Sequence, residues 1–386
     1  MIGTLLAARG LRAFADGFVA VILPAYLLAL GMGQLEVGFI STATLLGSAL
    51  ATLAVGRWGH RFHIRLLLLA AALLMAATGI AFAGLSSLWP LLLVSFVGTL
   101  NPSSGDASIF MPLDHSMLAT VHDRPTVFAR YSFLGSISGA VGALAAVLPE
   151  ALSPQLSMLA ALRGMFLLYA AVGIAVWLLY LRLPDPKAEE QKPNAPLGPS
   201  RGIVWRLAAL FSVDSFAGGL VLNSLLALWL FERFGMSLAA AGAFFFWTGI
   251  LAAASQLAAG ALARRIGMIN TMVFTHIPSS LCLIGAALSP GLELALALLL
   301  ARSALSQMDV PARGAFVMSV VTPPERPAAA SFTSVPRSLA AALSPSLTGA
   351  MFAAGAMAAP LVACGVLKIA YDLALFAAFR KVKPTS

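Results

Sequence analysis

The chain has 386 residues, 60% of them hydrophobic and only 10% charged, with a formal net charge of +9 at pH 7. Soluble domains are about one-quarter charged, so this composition excludes an ordinary soluble fold and points to a bilayer. The basic residues gather in short clusters between apolar stretches, without a basic stripe interleaved with aromatics, so nucleic acid is not expected as a partner.

Apolar stretches of about twenty residues recur along the chain, each long enough to cross a hydrocarbon core of roughly 30 Å as a helix. In lipid the backbone must satisfy its own hydrogen bonds, and a barrel would need short strands alternating polar and apolar positions. Runs such as Leu66 to Ala83 do not alternate, so the expected fold class is an all-α integral membrane protein. The spans fall at 11–31, 36–57, 65–85, 88–121, 126–149 and 157–182, then at 204–233, 238–262, 268–289, 292–320, 327–354 and 357–379. Loop charge alternates along them. Arg9 and Arg12, Arg57, Arg61 and Arg65, Arg124, Arg182 to Arg206, Arg264 and Arg265, Arg326, and Arg380, Lys381 and Lys383 fall on one side. Gln34, Glu36, Ser86, Ser87, Glu150, Gln155, Glu232 with Arg233, and Glu293 fall on the other. An excess of Lys and Arg marks the cytoplasmic side, so both termini are expected there. An even number of spans is then required, and twelve fits.

Arg9 and Arg12 ahead of the first apolar run have the look of a secretory signal. An internal copy argues against it: Asp16-Gly17-Phe18 has a counterpart in Asp214-Ser215-Phe216 at the start of the seventh span. Thr120 to Pro125 aligns without gaps on Thr322 to Pro327, Gly31-Met32 recurs as Gly235-Met236, and Gly56 as Gly260. One six-helix unit is therefore repeated. The Pro- and charge-rich stretch from Pro184 to Arg201 reads as a linker. The expected organisation is a first six-helix bundle over 1–183, a cytoplasmic linker over 184–202 and a second bundle over 203–386.

Two six-helix halves, a cytoplasmic linker and cytoplasmic termini resemble the major facilitator superfamily, in which the halves are parallel repeats and solute binds near the midplane between them. The family's loop between helices two and three reads Gly-x-x-x-Asp-Arg-x-Gly-Arg-Lys. Here Gly56 to Arg65 keeps the first glycine and the basic positions, with His60 at the aspartate and His63 at the second glycine. In the second half, Arg264 takes the aspartate position and Gly267 is kept. The resemblance implies that spans one, four, seven and ten line a central cavity, and that a monomer is the usual state.

Each of those four spans carries an aspartate: Asp16, Asp106, Asp214 and Asp309. An ionised group at a helix centre costs at least about 2.5–3.5 kcal/mol, so these acids are expected to face a cavity or a partner, and they are the proton-coupling candidates. Span four places Asn101, Pro102, Ser103, Ser104 and Gly105 just before Asp106, and Asp114 with His115 follow. Proline and glycine there free backbone groups that can bind solute where they line a cavity. Span ten echoes this with Gln307, Asp309, Pro311 and Arg313, where Asp309 and Arg313, four apart, share one face. The plainer reading of both is a helix kink and an intrahelical ion pair. Arg130 and Arg337 occupy equivalent places in spans five and eleven, able to neutralise a neighbouring aspartate, bind an anion or snorkel. Asp16 with Arg12 is a further four-residue pair, whereas Asp214 has no basic partner in its own span. The substrate-binding candidates are Asn101, Ser103, Ser104, Arg130, Gln307, Arg313, Arg337 and Asn223, with Gln256 as a further neutral donor. His276 is expected to be a packing histidine, and Cys282 and Cys364 small buried residues rather than a disulfide.

No Walker A loop, metalloprotease helix, nucleophile elbow or metal-spaced Cys/His set is present, so neither an enzyme, an ATP-driven pump, a metal nor a cofactor is expected. The reading is a secondary active transporter for a small solute, coupled to protons and leaning to export by antiport, in a bacterial inner membrane. The alternative is an importer or exchanger of a small organic anion held by intramembrane arginines.

Overall fold

The computed structural model describes residues 1–103, 109–118, 124–184, 197–322 and 325–380. Ser104 and Asp106 lie outside the described residues. Among the described residues, sixteen α-helices make up twelve spans. In the first half α1 (Ile2–Ala29), α2 (Gln34–Trp58), α3 (Ile64–Gly84) and α8 (Met158–Tyr180) each form a span, while α4 (Leu88–Val97) with α5 (Phe110–Leu118), and α6 (Arg124–Leu144) with α7 (Leu148–Leu152), form broken ones. In the second half α11 (Leu238–Ile266), α12 (Met268–Leu288), α15 (Arg326–Ala353) and α16 (Ala359–Phe379) are single. There α9 (Arg201–Gly219) with α10 (Asn223–Phe234), and α13 (Leu292–Leu305) with α14 (Asp309–Val320), are broken. Among the described residues, nine helices are long and apolar enough to cross a membrane by length and composition. The remaining spans are the two in which proline, glycine and polar residues split the helix, and α15, which carries Pro336, Pro345 and Arg337.

The repeat is visible in the packing. In the first half α1 lies along α6, α3 along α8 and α2 along α4; in the second, α9 lies along α15, α12 along α16 and α11 along α13. The recurring Gly-Met dipeptides occupy equivalent turns, Gly31 with φ 81° and Gly235 with φ 62°, a left-handed conformation that ends the preceding helix and favours glycine.

The halves meet on the side away from the termini. There α2 crosses α15, and α6 crosses α11. At the first crossing Gly38 and Gly349 face one another: a Cβ on Gly38 would stand 2.7 Å from the Pro345 carbonyl oxygen, and one on Gly349 would stand 2.6 Å from that of Gln34. Only hydrogen fits there. Polar contacts surround this crossing. Gln34 donates to Glu232 at 3.0 Å, the Ser346 N–H donates to the Thr42 hydroxyl at 3.0 Å, and Glu150 accepts the N–H groups of Leu238 and Ala239, at 2.6 and 3.1 Å, capping the start of α11 from the other half. A carboxylate at a helix N-terminus satisfies donors that have no intrahelical partner.

On the terminus side, Glu325 fastens the segment that leads into α9. Its carboxylate accepts the Gly198 N–H, the Ser200 N–H at 3.3 Å and the Thr322 hydroxyl at 2.7 Å. These donors, Ser200 first, hold its pKa down to about 2 from the usual 4.5. A carboxyl whose folded pKa is depressed adds stability that is present above the unfolded value and is lost as pH falls towards the folded one.

Two outcomes follow. Gly349→Val overpacks the α2–α15 crossing by about 1–3 kcal/mol. With cysteines placed at Gln34 and Glu232, oxidative cross-linking is expected to slow strongly in that background; an unchanged rate would mean the crossing tolerates a side chain. Glu325→Gln is expected to lower the thermal unfolding midpoint in detergent by the same amount from pH 7 to pH 5. That difference shrinks as pH falls below the ordinary carboxyl value of 4.5.

Candidate functional site: a basic cavity backed by buried ion pairs

Three of the broken helices turn their interruptions towards one place. The break between α4 and α5 contains Asn101 and Ser103, that between α9 and α10 contains Val221 and Leu222, and that between α13 and α14 contains Ser306 and Gln307. Asn101 organises the first break by accepting the Ser103 N–H at 3.1 Å and the Ser103 hydroxyl at 2.7 Å. The Pro102 carbonyl then accepts the Ser224 N–H at 3.1 Å, joining the halves through two interrupted helices. Below this junction lies a cavity of about 520 Å³, bounded by α1 and α6 of the first half and α9 to α14 and α16 of the second. A volume in this range suits a small ligand.

The charge on its wall is one-sided. Among the described residues the lining includes Arg9, Arg302 and Lys368, together with His276, and no carboxylate. Neutral groups, including Ser103, Asn223, Gln256, Ser279, Ser303 and Gln307, complete the polar lining. Of the substrate-binding candidates, then, Ser103, Asn223 and Gln307 reach the cavity. Asn101 sits one layer behind. Arg130 is exposed on α6, away from it. Arg337 donates to the Ser215 hydroxyl at 3.1 Å and lies over the Phe211 ring rather than bonding an aspartate.

Behind the wall the acids are paired. Asp214 accepts Arg313 at 2.9 Å on one oxygen and Lys368 at 2.6 Å on the other. Arg313 also bonds Asp309 one turn away, as its spacing implies. The lack of a basic residue in its own span thus misdescribes Asp214: its partners come from α14 and α16. His276 is likewise no isolated packing residue. Its Nδ1 lies 3.0 Å from both carboxylate oxygens of Asp372, and its Nε2 lies 3.3 Å from the Lys368 ammonium.

The first half has its own cluster. Arg12 bonds Asp114 on α5, which also accepts the Tyr131 hydroxyl at 2.7 Å and the Tyr180 hydroxyl at 3.4 Å. Arg12 thus bonds a fully buried acid on another helix as well as lying four residues before Asp16. Asp16 itself is beside Arg9, Arg12 and Asn101.

Lys368, Arg302 and Asp372 were not among the residues the sequence reading singled out. The signal was present, since Lys368 and Asp372 are ionisable residues in an otherwise apolar 21-residue helix, where each is costly without a partner.

A cavity bounded by both halves, lined by basic and neutral polar groups and backed by buried ion pairs, suits a membrane protein that receives a small ligand. A family model described as the Major Facilitator Superfamily matches residues 5–306. The chain belongs to that superfamily, and it is accordingly a membrane-embedded secondary transporter of a small solute rather than an enzyme. Over its length it is similar to the uncharacterized membrane protein YJR124C of Saccharomyces cerevisiae, 22% identical, covering 96% of this chain and 92% of that protein. Its fold is similar to that of a bacterial homologue of the human lysosomal transporter Spinster in an inward-facing, occupied conformation (TM-score 0.76, 16% identity, covering 98% of this chain and 96% of that one). It is also similar to the nucleoside transporter NupG (TM-score 0.75, 16% identity, covering 99% of each).

Breaking a buried pair strands the remaining charge, at a cost of about 3–5 kcal/mol, whereas replacing both partners with apolar groups removes most of that penalty. Arg12→Met is therefore expected to destabilise the protein by about that amount, and Arg12→Met with Asp114→Leu by clearly less. Thermal unfolding of the detergent-purified variants checks this; additive effects would show that the two residues do not act as a pair.

Proposed function

We propose that the protein carries a small organic anion by alternating access, with its movement coupled to protons. The observation that supports this is the cavity wall, which presents Arg9, Arg302 and Lys368 and, among the described lining residues, no carboxylate; Lys368 is bonded to Asp214 behind the wall. Arg302 is the telling member. The ionisable groups that bear on it are the thiols of Cys282 and Cys364, so its positive charge is not cancelled by an acid. A solute carboxylate or phosphate would supply the missing partner, accepting a charge-assisted and, from an arginine, bidentate bond. Export of lipophilic cations by antiport calls for acids on the wall; in this reading Asp16, Asp214 and Asp309 lie behind it, and Asp106 remains a proton-coupling candidate outside the described residues.

In this reading the bundles over 1–183 and 203–386 rock about the α2–α15 and α6–α11 crossings, with residues 184–202 as the link between them. The charge asymmetry of the loops supports cytoplasmic termini. The conformation described, joined on the side away from the termini, is then the inward-facing one. The protein acts as a monomer in a bacterial inner membrane.

The test is a thermal-shift screen of the purified protein against succinate, citrate, inorganic phosphate and tetraphenylphosphonium. A ligand at one hundred times its dissociation constant stabilises by about 2.7 kcal/mol, enough to detect. Stabilisation is expected from an anion. Arg302→Gln is expected to weaken that binding about ten- to a hundredfold, the worth of a hydrogen bond to a charged group. Stabilisation by tetraphenylphosphonium, unaffected by Arg302→Gln, would replace this reading with cation export.

A further inference from the structure

We infer that the His276–Asp372 pair is the site at which the protein takes up a proton, and that Lys368 is the switch that links it to occupancy of the cavity. This rests on the anion reading for what moves the switch, but not for the switch itself.

The geometry assigns each hydrogen. Lys368 stands 2.6 Å from one Asp214 oxygen and 3.3 Å from His276 Nε2. An ammonium has only donors, so the nitrogen facing it must present a lone pair, and the imidazole is neutral with its N–H on Nδ1. That N–H points at Asp372, 3.0 Å from both oxygens. Asp372 is fully buried, so no solvent competes for it. Both ring nitrogens are thereby used, and the proton cannot be added while Lys368 is in place.

Lys368 and His276 both line the cavity, whereas Asp214 and Asp372 lie behind it. The ammonium is therefore the mobile element of the group, able to turn from Asp214 towards an anion without leaving its helix. When it does, Nε2 loses its donor and faces Asp214 Oδ1 at 3.9 Å. An imidazolium formed there has a carboxylate on either side. The charge leaving Asp214 with Lys368 is replaced by the charge gained at His276. Anion and proton then bind together, each requiring the other.

The other groups around His276 are compatible with this exchange. From α16 the Tyr371 ring packs edge-on at 6.2 Å, and Cys364 lies one turn before Lys368. From α14, Arg313 bonds Asp214 and Asp309 and not the imidazole, and it remains on Asp214 when Lys368 departs. From α13, Arg302 faces the same cavity and is a second contact for the anion. From α15, Arg337 is engaged by Ser215. The ionisable residues of α11, Arg264 and Arg265, are exposed at its far end.

The test uses the full chain labelled with 15N-histidine, in which the His276 signal is identified by its loss in His276→Gln. Wild type is expected to show a neutral ring protonated on Nδ1 at neutral pH. Lys368→Met, which removes the donor, is expected to show an imidazolium at the same pH, and Lys368→Arg, which keeps a donor in place, the neutral ring. Identical spectra for wild type and Lys368→Met would overturn the switch. Saturating succinate provides the second arm. If it stabilises the wild-type protein and brings out the imidazolium signal, the coupling stands. If it stabilises the protein with the ring still neutral, the coupling fails although the anion site holds. Should succinate not bind while Lys368→Met still shows the imidazolium, the switch stands and succinate is not the anion that drives it.

Discussion

Asp214 holds the second half of the molecule in register. Its two oxygens take up cations from two different helices, Arg313 on α14 and Lys368 on α16, while its own helix, α9, packs against α15 and α16. In a medium of low dielectric constant none of these charges is tolerable alone, so each fixes where the others must be. That requirement sets the rotation of three helices about their axes. It also places Lys368, and through it His276, at the edge of the cavity.

The first half meets the same need with different chemistry. Asp114 is neutralised once, by Arg12, and the rest of its valence is filled by the hydroxyls of Tyr131 and Tyr180. Tyrosine donates a hydrogen bond without bringing a second charge, so this cluster is closed and has no surplus ion to offer a solute. In the second half, by contrast, Lys368 both bonds Asp214 and lines the cavity.

Much of the architecture could be read from the sequence, because the length of apolar runs and the alternation of charged loops are local properties. The doubling showed itself in Gly31-Met32 and Gly235-Met236, which the structure places in equivalent left-handed turns. The helix breaks of spans four and ten were announced by proline, glycine and polar residues, and Ser103, Asn223 and Gln307 do reach the cavity. The partners of the acids were another matter. Spacing on one helix identified Asp309 with Arg313, but it could not show that Arg12 also bonds Asp114, 102 residues away. Asp214 looked unaccompanied for the same reason. Pairing between helices depends on rotation and crossing, which no single helix encodes, and Lys368 and Asp372 of α16 find their partners on α9 and α12.

The contact of Gly38 with Gly349 has a mechanical meaning. Two backbones touching through hydrogen atoms have no side chains to disengage, so little apolar burial is lost when that crossing slides or parts. Around it runs a rim of exchangeable polar bonds: Gln34 to Glu232, Ser346 to Thr42, and Glu150 to the first amides of α11. Water can replace such bonds almost one for one. A separation of the halves of the kind proposed above would thus cost bonds that water can replace at the rim, and no side-chain packing where Gly38 meets Gly349.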